Sequence, residues 1–171
     1  PQVRGTLGTV NLNNALQKLC NPASPDKAEI TIGDRTLRKG DRVIQTRNNY
    51  DLNVFNGDIG NIVSVDNESL CCEVQFSCSD SGLVKFGRED IAELSPAYAI
   101  TIHKSQGSEF EAVIIPVLGQ HFNMLQRNLI YTALTRGKKL AVFVGSRKAF
   151  AFAVNNVDNK KRQTALPYLI G

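Results

Sequence analysis

Residues 99–110 read AITIHKSQGSEF, and residues 112–118, immediately downstream, read AVIIPVL. The first stretch is an apolar run that ends in a polar cluster around Gly107, and the second is an unbroken apolar run rich in Val and Ile. An unbroken run of this kind is typical of a strand that is buried on both faces of a parallel sheet. The order strand, loop, strand therefore predicts an α/β domain.

Longer elements of the same kind follow Pro96. The spacing predicts a strand over 97–102, a loop with a short helical turn over 104–110, a helix that ends at Gly137, a strand over 140–144 and a final helix from Ser146. The residues that mark the two helices are Leu125, Leu129, Ile130 and Leu134 in the first, and Ala149, Phe150 and Ala153 in the second. Alternating strands and helices predict a parallel sheet that is covered on both faces.

The first half of the chain has shorter elements. Apolar residues at helical spacing between Asn11, a candidate cap, and Pro22 predict a first helix; they are Leu12, Ala15, Leu16 and Leu19. Alternating residues predict short strands at Ile30 and at Val43, and the stretch 33–40 (GDRTLRKG) between them is interpreted as a hairpin turn. Three further alternating runs between residues 60 and 94, separated by turn residues, predict a small antiparallel barrel.

Charge is distributed unevenly along the chain. Residues 1–60 carry eight Lys/Arg against six Asp/Glu, a net charge of +2, and residues 61–97 carry two against seven, a net charge of −5. Residues 98–171 carry ten against three, a net charge of +7. The middle segment is therefore a poor candidate for gripping phosphates, and any contact with nucleic acid is expected mainly from its flanks.

Several classes of protein are disfavoured by the sequence. No glycine-rich loop ends in Gly-Lys-Ser/Thr, the pattern that cradles nucleotide phosphates. The four cysteines (Cys20, Cys71, Cys72 and Cys78) lack paired C-x-x-C spacing, so we expect reduced thiols and neither zinc nor disulfides. No apolar run is long enough to span a membrane, which favours a cytoplasmic location. The chain opens on Pro1 and has one methionine, so we expect a piece of a longer polypeptide.

The loop from His103 to Glu109 is the first candidate site, because ligands of open parallel sheets bind beyond the carboxyl ends of the strands. Its short hydroxyls and its lysine suit a phosphodiester backbone, although a lone histidine is more often packed and an exposed lysine is usually only solvated. Arg136 is the second candidate. An arginine in the last turn of a helix complements the helix dipole, and the alternative is a guanidinium that reaches a transferring phosphoryl group.

Four blocks carry a family resemblance. Residues 97–116 (AYAITIHKSQGSEFEAVIIP) and 127–145 (RNLIYTALTRGKKLAVFVG) resemble motifs V and VI of superfamily 1 helicases in the form used by the RecD-like branch. Residues 40–60 resemble a third block of that branch, and residues 4–22 resemble the segment that opens its second motor domain. Thr135, before the motif VI arginine, favours this branch over the related Pif1-type helicases, which usually have Ser there.

The resemblance implies roles for the residues at matching positions. Arg136 would be the motif VI arginine finger, and Arg4 would also approach the γ-phosphate of ATP. Gln106 would link the nucleotide site to the strand-binding loop, while Gly107 and Glu109 would face the nucleotide. The residues implied to line a single strand of DNA are Thr46, Asn48, Asn49, Tyr50, Thr101, His103, Lys104 and Ser105, and Tyr50 is suited to stacking on a base.

The resemblance also implies an α/β RecA-like parallel sheet with an inserted small SH3-like β-barrel. Residues 1–59 and 96–156 would form the two parts of RecA-like domain 2A, residues 60–95 the inserted barrel (2B), and residues 157–171 a C-terminal tail. In the family this barrel faces the DNA strand that is displaced or translocated.

The implied function is that of the C-terminal half of an ATP-dependent 5′-to-3′ DNA helicase. ATP and Mg²⁺ would be bound together with an N-terminal RecA-like domain of the same polypeptide, and this chain alone would not hydrolyse ATP. The implied partners are single-stranded DNA and other subunits of a recombination nuclease. The resemblance implies no contact with a membrane. Two alternatives stay open: a non-catalytic nucleic-acid-binding module, and an assembly module with relic motor motifs.

Overall fold

A computed structural model describes residues 3, 5, 7–76 and 82–157, except for the side chain of Asn123. It divides into two compact units, residues 1–108 and residues 109–171. Within the described ranges, no helix is long and apolar enough to cross a membrane.

The first unit contains one long helix, a two-stranded hairpin and a five-stranded antiparallel sheet. The hairpin pairs β1 with β2, and the order of the larger sheet is β6-β5-β4-β3-β7. The elements are α1 (Thr9–Cys20), β1 (Glu29–Ile32), β2 (Arg35–Arg38), β3 (Arg42–Gln45), β4 (Ile59–Asp66), β5 (Cys71–Phe76), β6 (Leu83–Phe86), a 3-10 helix (Asp90–Glu93) and β7 (Leu94–Pro96).

The predicted short strands are confirmed, and their alternating side chains build the core of this unit. Val43, Val74 and Phe86 are fully buried in one cluster that draws on β3, β5 and β6. The stretch 33–40 is not a turn throughout, because residues 35–38 form β2. The turns lie on either side of this strand, at Gly33-Asp34 and at Lys39-Gly40. Strand β3 pairs with β4, so the hydrogen-bonded sheet begins before residue 60; the division into domains stays a prediction.

Helix α1 is correctly placed, but the prediction of its buried face is wrong. The helix begins at Thr9 with Gly8 as its N-cap, not at Asn11. Its buried residues are Thr9, Asn13 and Gln17, whereas Leu19 is 78% exposed. The polar face is buried because its amide side chains find hydrogen-bond partners in the rest of the unit, which offsets the cost of removing them from water.

The prediction of a strand over 97–102 is also wrong. The last bond of this segment to the sheet is donated by the Ala97 N–H to the carbonyl oxygen of Arg42, at 2.8 Å. The chain then leaves β3, and residues 102–107 form consecutive turns. The apolar residues of this segment predict a strand, but the last strand of the first unit, β7, ends at Pro96.

The second unit contains two parallel strands and two helices, as predicted. They are β8 (Phe110–Val117), a 3-10 helix (Gly119–Met124), α2 (Arg127–Leu134), β9 (Gly137–Gly145) and α3 (Arg147–Asn155). Ser146 caps α3, and Ala149 and Ala153 are buried as expected. The predicted burial of both sheet faces is not met within this unit's described residues, since Ile114 is 75% exposed and the facing Val142 is also exposed.

Gly60 of β4 pairs with Phe76 of β5, and the atoms of β5 leave no room for a side chain at Gly60. A Cβ atom at this position would lie 2.6 Å from Val74 Cγ1 and 2.7 Å from the carbonyl oxygen of Gln75. We expect Gly60→Ala to lower the free energy of unfolding by about 1–3 kcal/mol, because the two paired strands must separate to admit the methyl group. Urea unfolding followed by circular dichroism measures this change. In Gly87→Ala, the nearest atom to the new Cβ is 3.6 Å away, so an equal loss in that control would contradict the steric explanation.

Candidate functional site

The loop of residues 101–108 is shaped by hydrogen bonds between near neighbours. The Lys104 N–H donates to Thr101 Oγ1 at 3.2 Å, and the Ser105 N–H donates to the carbonyl oxygen of Thr101 at 3.1 Å. The hydroxyl of Ser105 donates to the carbonyl oxygen of Ile102 at 2.7 Å. These bonds fold the segment into consecutive turns at the end of the sheet.

The same turns decide which loop side chains face outward. His103, Lys104 and Gln106 are exposed, whereas Ser105 is only 6% exposed and its hydroxyl serves the loop itself. Gly107 has a φ of +84°, a conformation that a side chain disfavours, and no atom lies within 4 Å of where its Cβ would be. The loop therefore exposes an imidazole, an ammonium and an amide on one short segment. The predicted contact of Ser105 with single-stranded DNA stays a prediction.

The loop after β3 holds the second predicted set of polar residues. Asn48 accepts a bond from the Asn56 N–H at 2.9 Å through Oδ1. Asn49 accepts from the Leu52 N–H at 3.1 Å, and its Nδ2 donates to Asp90 Oδ1 at 3.0 Å. In this structure both asparagines hold the loop in shape, which is the ordinary role of asparagine in turns.

An aromatic pair occupies the outer surface of the same loop. Tyr50 is 77% exposed, and its ring lies edge-on to that of Phe55 with the centroids 6.0 Å apart. Asn48 Nδ2 lies 3.4 Å from the Tyr50 hydroxyl. Thr46, in contrast, donates its hydroxyl to the carbonyl oxygen of Glu93 at 2.6 Å. Phe55 was not among the predicted site residues, although an aromatic five positions after Tyr50 was a signal that pointed to it.

In the second unit, Arg136 lies just after α2. Its Nε donates to the carbonyl oxygen of Thr132 and its Nη2 to Thr135 Oγ1, both at 3.3 Å. Its own carbonyl oxygen accepts a bond from the Phe110 N–H at 2.8 Å, which ties it to the start of β8. The guanidinium thus contacts the C-terminal carbonyl end of α2, where a positive charge is favourable.

Glu109 and Arg4 are the remaining predicted site residues near the nucleotide, and the structure describes only Glu109. Glu109 forms a salt bridge with Lys138 at 3.2 Å, and both side chains are more than half exposed. Such surface pairs contribute little to stability, so this carboxylate is easily released to another partner. Arg4 lies outside the described residues.

A buried carboxylate was missed entirely by sequence reasoning. Asp41 is fully buried, and it accepts hydrogen bonds from the side chains of Gln17 and Asn21, the N–H of Arg38 and the hydroxyl of Tyr98. Burial, followed by the bond to Asp41, raises the pKa of the Tyr98 hydroxyl. Asp41 follows Lys39-Gly40 in a hairpin-like stretch, so no local pattern distinguishes it from a turn residue.

No group of three His, Cys, Asp or Glu side chains that could hold a metal ion occurs among the described residues. Cys20, Cys71 and Cys72 are free thiols, and Cys78 lies outside the described ranges. Burial raises the pKa of the Cys72 thiol to about 12, which makes it a poor nucleophile.

Two family models match the chain. Residues 12–76 match the SH3 domain of ATP-dependent RecD-like DNA helicases, and residues 96–144 match the C-terminal domain of UvrD-like helicases. The first match includes β3, β4 and β5, and the second includes the loop of residues 101–108 and both strands of the parallel sheet.

Curated proteins and solved structures agree with these matches. The ATP-dependent RecD2 DNA helicase of Deinococcus radiodurans is 36% identical over 97% of this chain and 22% of its own length. The RecBCD enzyme subunit RecD of Haemophilus influenzae is 30% identical over 77% of this chain and 18% of its own length. The chain therefore spans about a fifth of these relatives. The Pif1 helicase from Bacteroides in complex with ADP-AlF3 and ssDNA has a similar fold, with a TM-score of 0.55 and 20% identity over 94% of this chain and 41% of that one.

Proposed function

The chain belongs to the RecD-like family of superfamily 1 helicases, and from this premise we propose that it is the C-terminal motor region of an ATP-dependent DNA helicase. The observation that carries the proposal is the loop of residues 101–108, which presents His103, Lys104 and Gln106 outward within the matched helicase domain. The direction of travel in this proposal is 5′ to 3′ along single-stranded DNA.

We assign the nucleotide to a cleft that this region completes. The phosphate loop and the Mg²⁺ ligands belong to an N-terminal RecA-like domain of the full-length protein, and ATP hydrolysis supplies the free energy for movement. Arg136 and Arg4 donate to the γ-phosphate oxygens, for which the planar guanidinium is well shaped. Gly107 faces the nucleotide, Glu109 exchanges Lys138 for a ribose hydroxyl, and Gln106 links the nucleotide site to the loop that binds DNA.

The residues present fit a triphosphate in their chemistry. Arg136 carries five N–H donors, and its bonds to Thr132 and to the C-cap Thr135 are long, at 3.3 Å. The positive φ of Gly107 turns the chain without a side chain that would block approach to its backbone. This chain alone is expected not to hydrolyse ATP.

We assign the binding of single-stranded DNA to the first unit. Thr101 and Lys104 line one groove of this unit, and the hydroxyl and the ammonium group match a phosphodiester backbone. His103 adds a further donor, while Thr46, Asn48, Asn49 and Ser105 act through the backbone that they hold. The SH3-like barrel, which is acidic, borders the path of the strand without gripping it.

Tyr50 is the side chain from which we expect the largest stacking contribution. Tyr50→Ala in the full-length protein will weaken binding of single-stranded DNA by about tenfold, because stacking of a base on an aromatic ring contributes roughly 1–3 kcal/mol. Tyr50→Phe keeps the ring and will bind within about twofold of the wild type. Fluorescence anisotropy with a labelled oligo(dT) measures both. Tyr131 is also exposed, at 66%, and an equal loss in Tyr131→Ala would contradict a specific role for Tyr50.

The proposed function as a whole is tested with the full-length protein. We expect ATP hydrolysis that single-stranded DNA stimulates, and unwinding of a duplex that carries a 5′ single-stranded tail. A matched duplex with a 3′ tail tests the direction of travel and is expected to stay intact. Hydrolysis that does not respond to single-stranded DNA would contradict the motor and favour a non-catalytic or assembly module.

A further inference from the structure

Helix α1 buries a stripe of polar side chains rather than its leucines. Thr9, Asn13, Gln17 and Asn21 recur at intervals of four residues along the helix and its C-cap, and each is 9% exposed or less. This interval places them on one face of a helix. The face carries three amides, each of which can both donate and accept a hydrogen bond.

Asn13 holds the backbone at the point where the chain leaves the sheet. Its Nδ2 donates to the carbonyl oxygen of Ala99 at 2.8 Å, and its Oδ1 accepts from the Ala99 N–H at 2.8 Å. The last sheet bond of this segment is made two residues earlier, by Ala97. The side chain of Asn13 thus satisfies both backbone groups of Ala99, as a neighbouring strand would.

The rest of the stripe determines where Asn13 lies. Gln17 donates to the carbonyl oxygen of Thr36 at 2.8 Å and to the buried carboxylate of Asp41. Asn21 donates to the same carboxylate at 2.7 Å, and the hydroxyl of Tyr98 donates to it at 2.9 Å. Asp41 therefore joins α1 to residue 98, and Asn13 joins α1 to residue 99, within one hydrogen-bonded cluster.

Only one residue separates this cluster from the candidate strand-binding loop. Thr101 accepts the first bonds of the loop, through both its side chain and its carbonyl oxygen. The bonds that follow join neighbours within the loop and shape its turns. A displacement of Ala99 would therefore move the loop as a body without unfolding its turns.

We propose that Asn13 is a positioning residue that fixes where the loop of residues 101–108 presents His103 and Lys104 to single-stranded DNA. The inference rests on the proposed function, because it takes DNA to be the ligand of the loop. The chemistry requires an amide at this position. Leucine has a similar volume but bonds to neither group of Ala99, and aspartate accepts from the N–H but cannot donate to the carbonyl oxygen.

The test uses the full-length protein with Asn13→Leu. The concentration of oligo(dT) that gives half-maximal stimulation of ATP hydrolysis is expected to rise about tenfold, since two hydrogen bonds that hold the loop are lost. The KM for ATP is expected to change less than the DNA requirement, because the two arginines proposed to hold the γ-phosphate lie outside this loop. Hydrogen exchange measured by mass spectrometry is expected to be faster in peptides that cover residues 97–108. If Asn13→Leu does not fold, Asn13→Asp keeps one of the two bonds and will give a smaller rise.

Two controls separate positioning from general loss of stability. Asn11→Leu makes the same chemical change on the exposed side of α1, where Asn11 bonds only to the carbonyl oxygen of Gly5 among the described contacts. Val84→Ala lowers stability in the core, far along the chain from α1. Both are expected to leave the half-maximal DNA concentration within about twofold of the wild type.

The outcomes that overturn the inference are distinct. A wild type without DNA-stimulated hydrolysis would contradict the proposed function and the role of Asn13 with it. A stimulated wild type with an unchanged DNA requirement in Asn13→Leu would overturn the positioning role alone. So would a Val84→Ala variant that reproduces the tenfold rise, or unchanged exchange in residues 97–108.

Discussion

Arg136→Ala in the full-length protein is expected to lower the DNA-stimulated kcat for ATP hydrolysis by about 10³- to 10⁵-fold, the range over which arginine fingers act. The guanidinium is proposed to stabilise charge on the transferring phosphoryl group, and alanine leaves that charge without a partner. Binding of nucleotide and of single-stranded DNA should change by only a few fold, because the contact forms mainly in the transition state. Steady-state hydrolysis and equilibrium binding measure the two quantities separately.

The contacts of Arg136 with α2 supply a rival explanation, which a second variant tests. The guanidinium reaches the carbonyl oxygen of Thr132 at 3.3 Å, so a positive charge there also complements the helix dipole. Arg136→Lys keeps the charge but not the planar fork. Near-normal turnover in this variant would contradict the finger. Arg147→Ala, which removes an exposed arginine from the start of α3, serves as the matched control and should hydrolyse ATP at the wild-type rate.

Asp41→Ala is expected to lower the free energy of unfolding of the first unit by about 3–5 kcal/mol, because several buried donors lose their acceptor at once and each unsatisfied group costs about 1–3 kcal/mol. Four donors converge on this carboxylate, from Gln17, Asn21, Arg38 and Tyr98. Alanine leaves these donors buried without their acceptor. Because alanine is smaller than aspartate, the substitution also leaves a cavity where the carboxylate was. Urea unfolding followed by circular dichroism measures the loss.

An exposed aspartate provides the comparison for Asp41. Asp34 lies in the β1–β2 turn and is exposed, so Asp34→Ala should change stability by no more than about 0.5 kcal/mol. A cost below about 1 kcal/mol for Asp41→Ala would contradict the buried cluster as a main support of the unit. Such a result would also weaken the argument that α1 is held against residues 98 and 99.

Much of the fold could be predicted from local patterns. Strands β4, β5 and β6 alternate apolar and polar residues, and β8 and β9 are nearly continuous apolar runs. A window of a few residues is therefore enough to identify each of them as a strand. Within the candidate site, the residue types of the HKSQG stretch predicted a polar loop at the end of an apolar segment. The structure has that loop, with three of those side chains exposed.

Other features depend on hydrogen-bond partners that the residue type alone does not reveal. Asn48 and Asn49 carry residue types that suit either a ligand or a turn, and only their bonds to Asn56 and Leu52 show that they shape their loop here. Ser105 suits a phosphate contact equally well, but its hydroxyl donates to Ile102. A short polar side chain bonds to whichever group the fold brings within reach, and that group is not visible in the local pattern.

The sequence by itself determined most of the elements, the α/β class and the membership in the helicase family, because hydrophobic periodicity and ordered motifs are properties of the chain. Only the tertiary structure decided which face of α1 is buried and where the chain leaves the sheet. Periodicity distinguishes a polar stripe from an apolar one, yet burial followed the polar stripe because Asp41 and Ala99 lie where Gln17 and Asn13 can bond to them. Those partners are 24 and 86 residues away along the chain, beyond any local pattern.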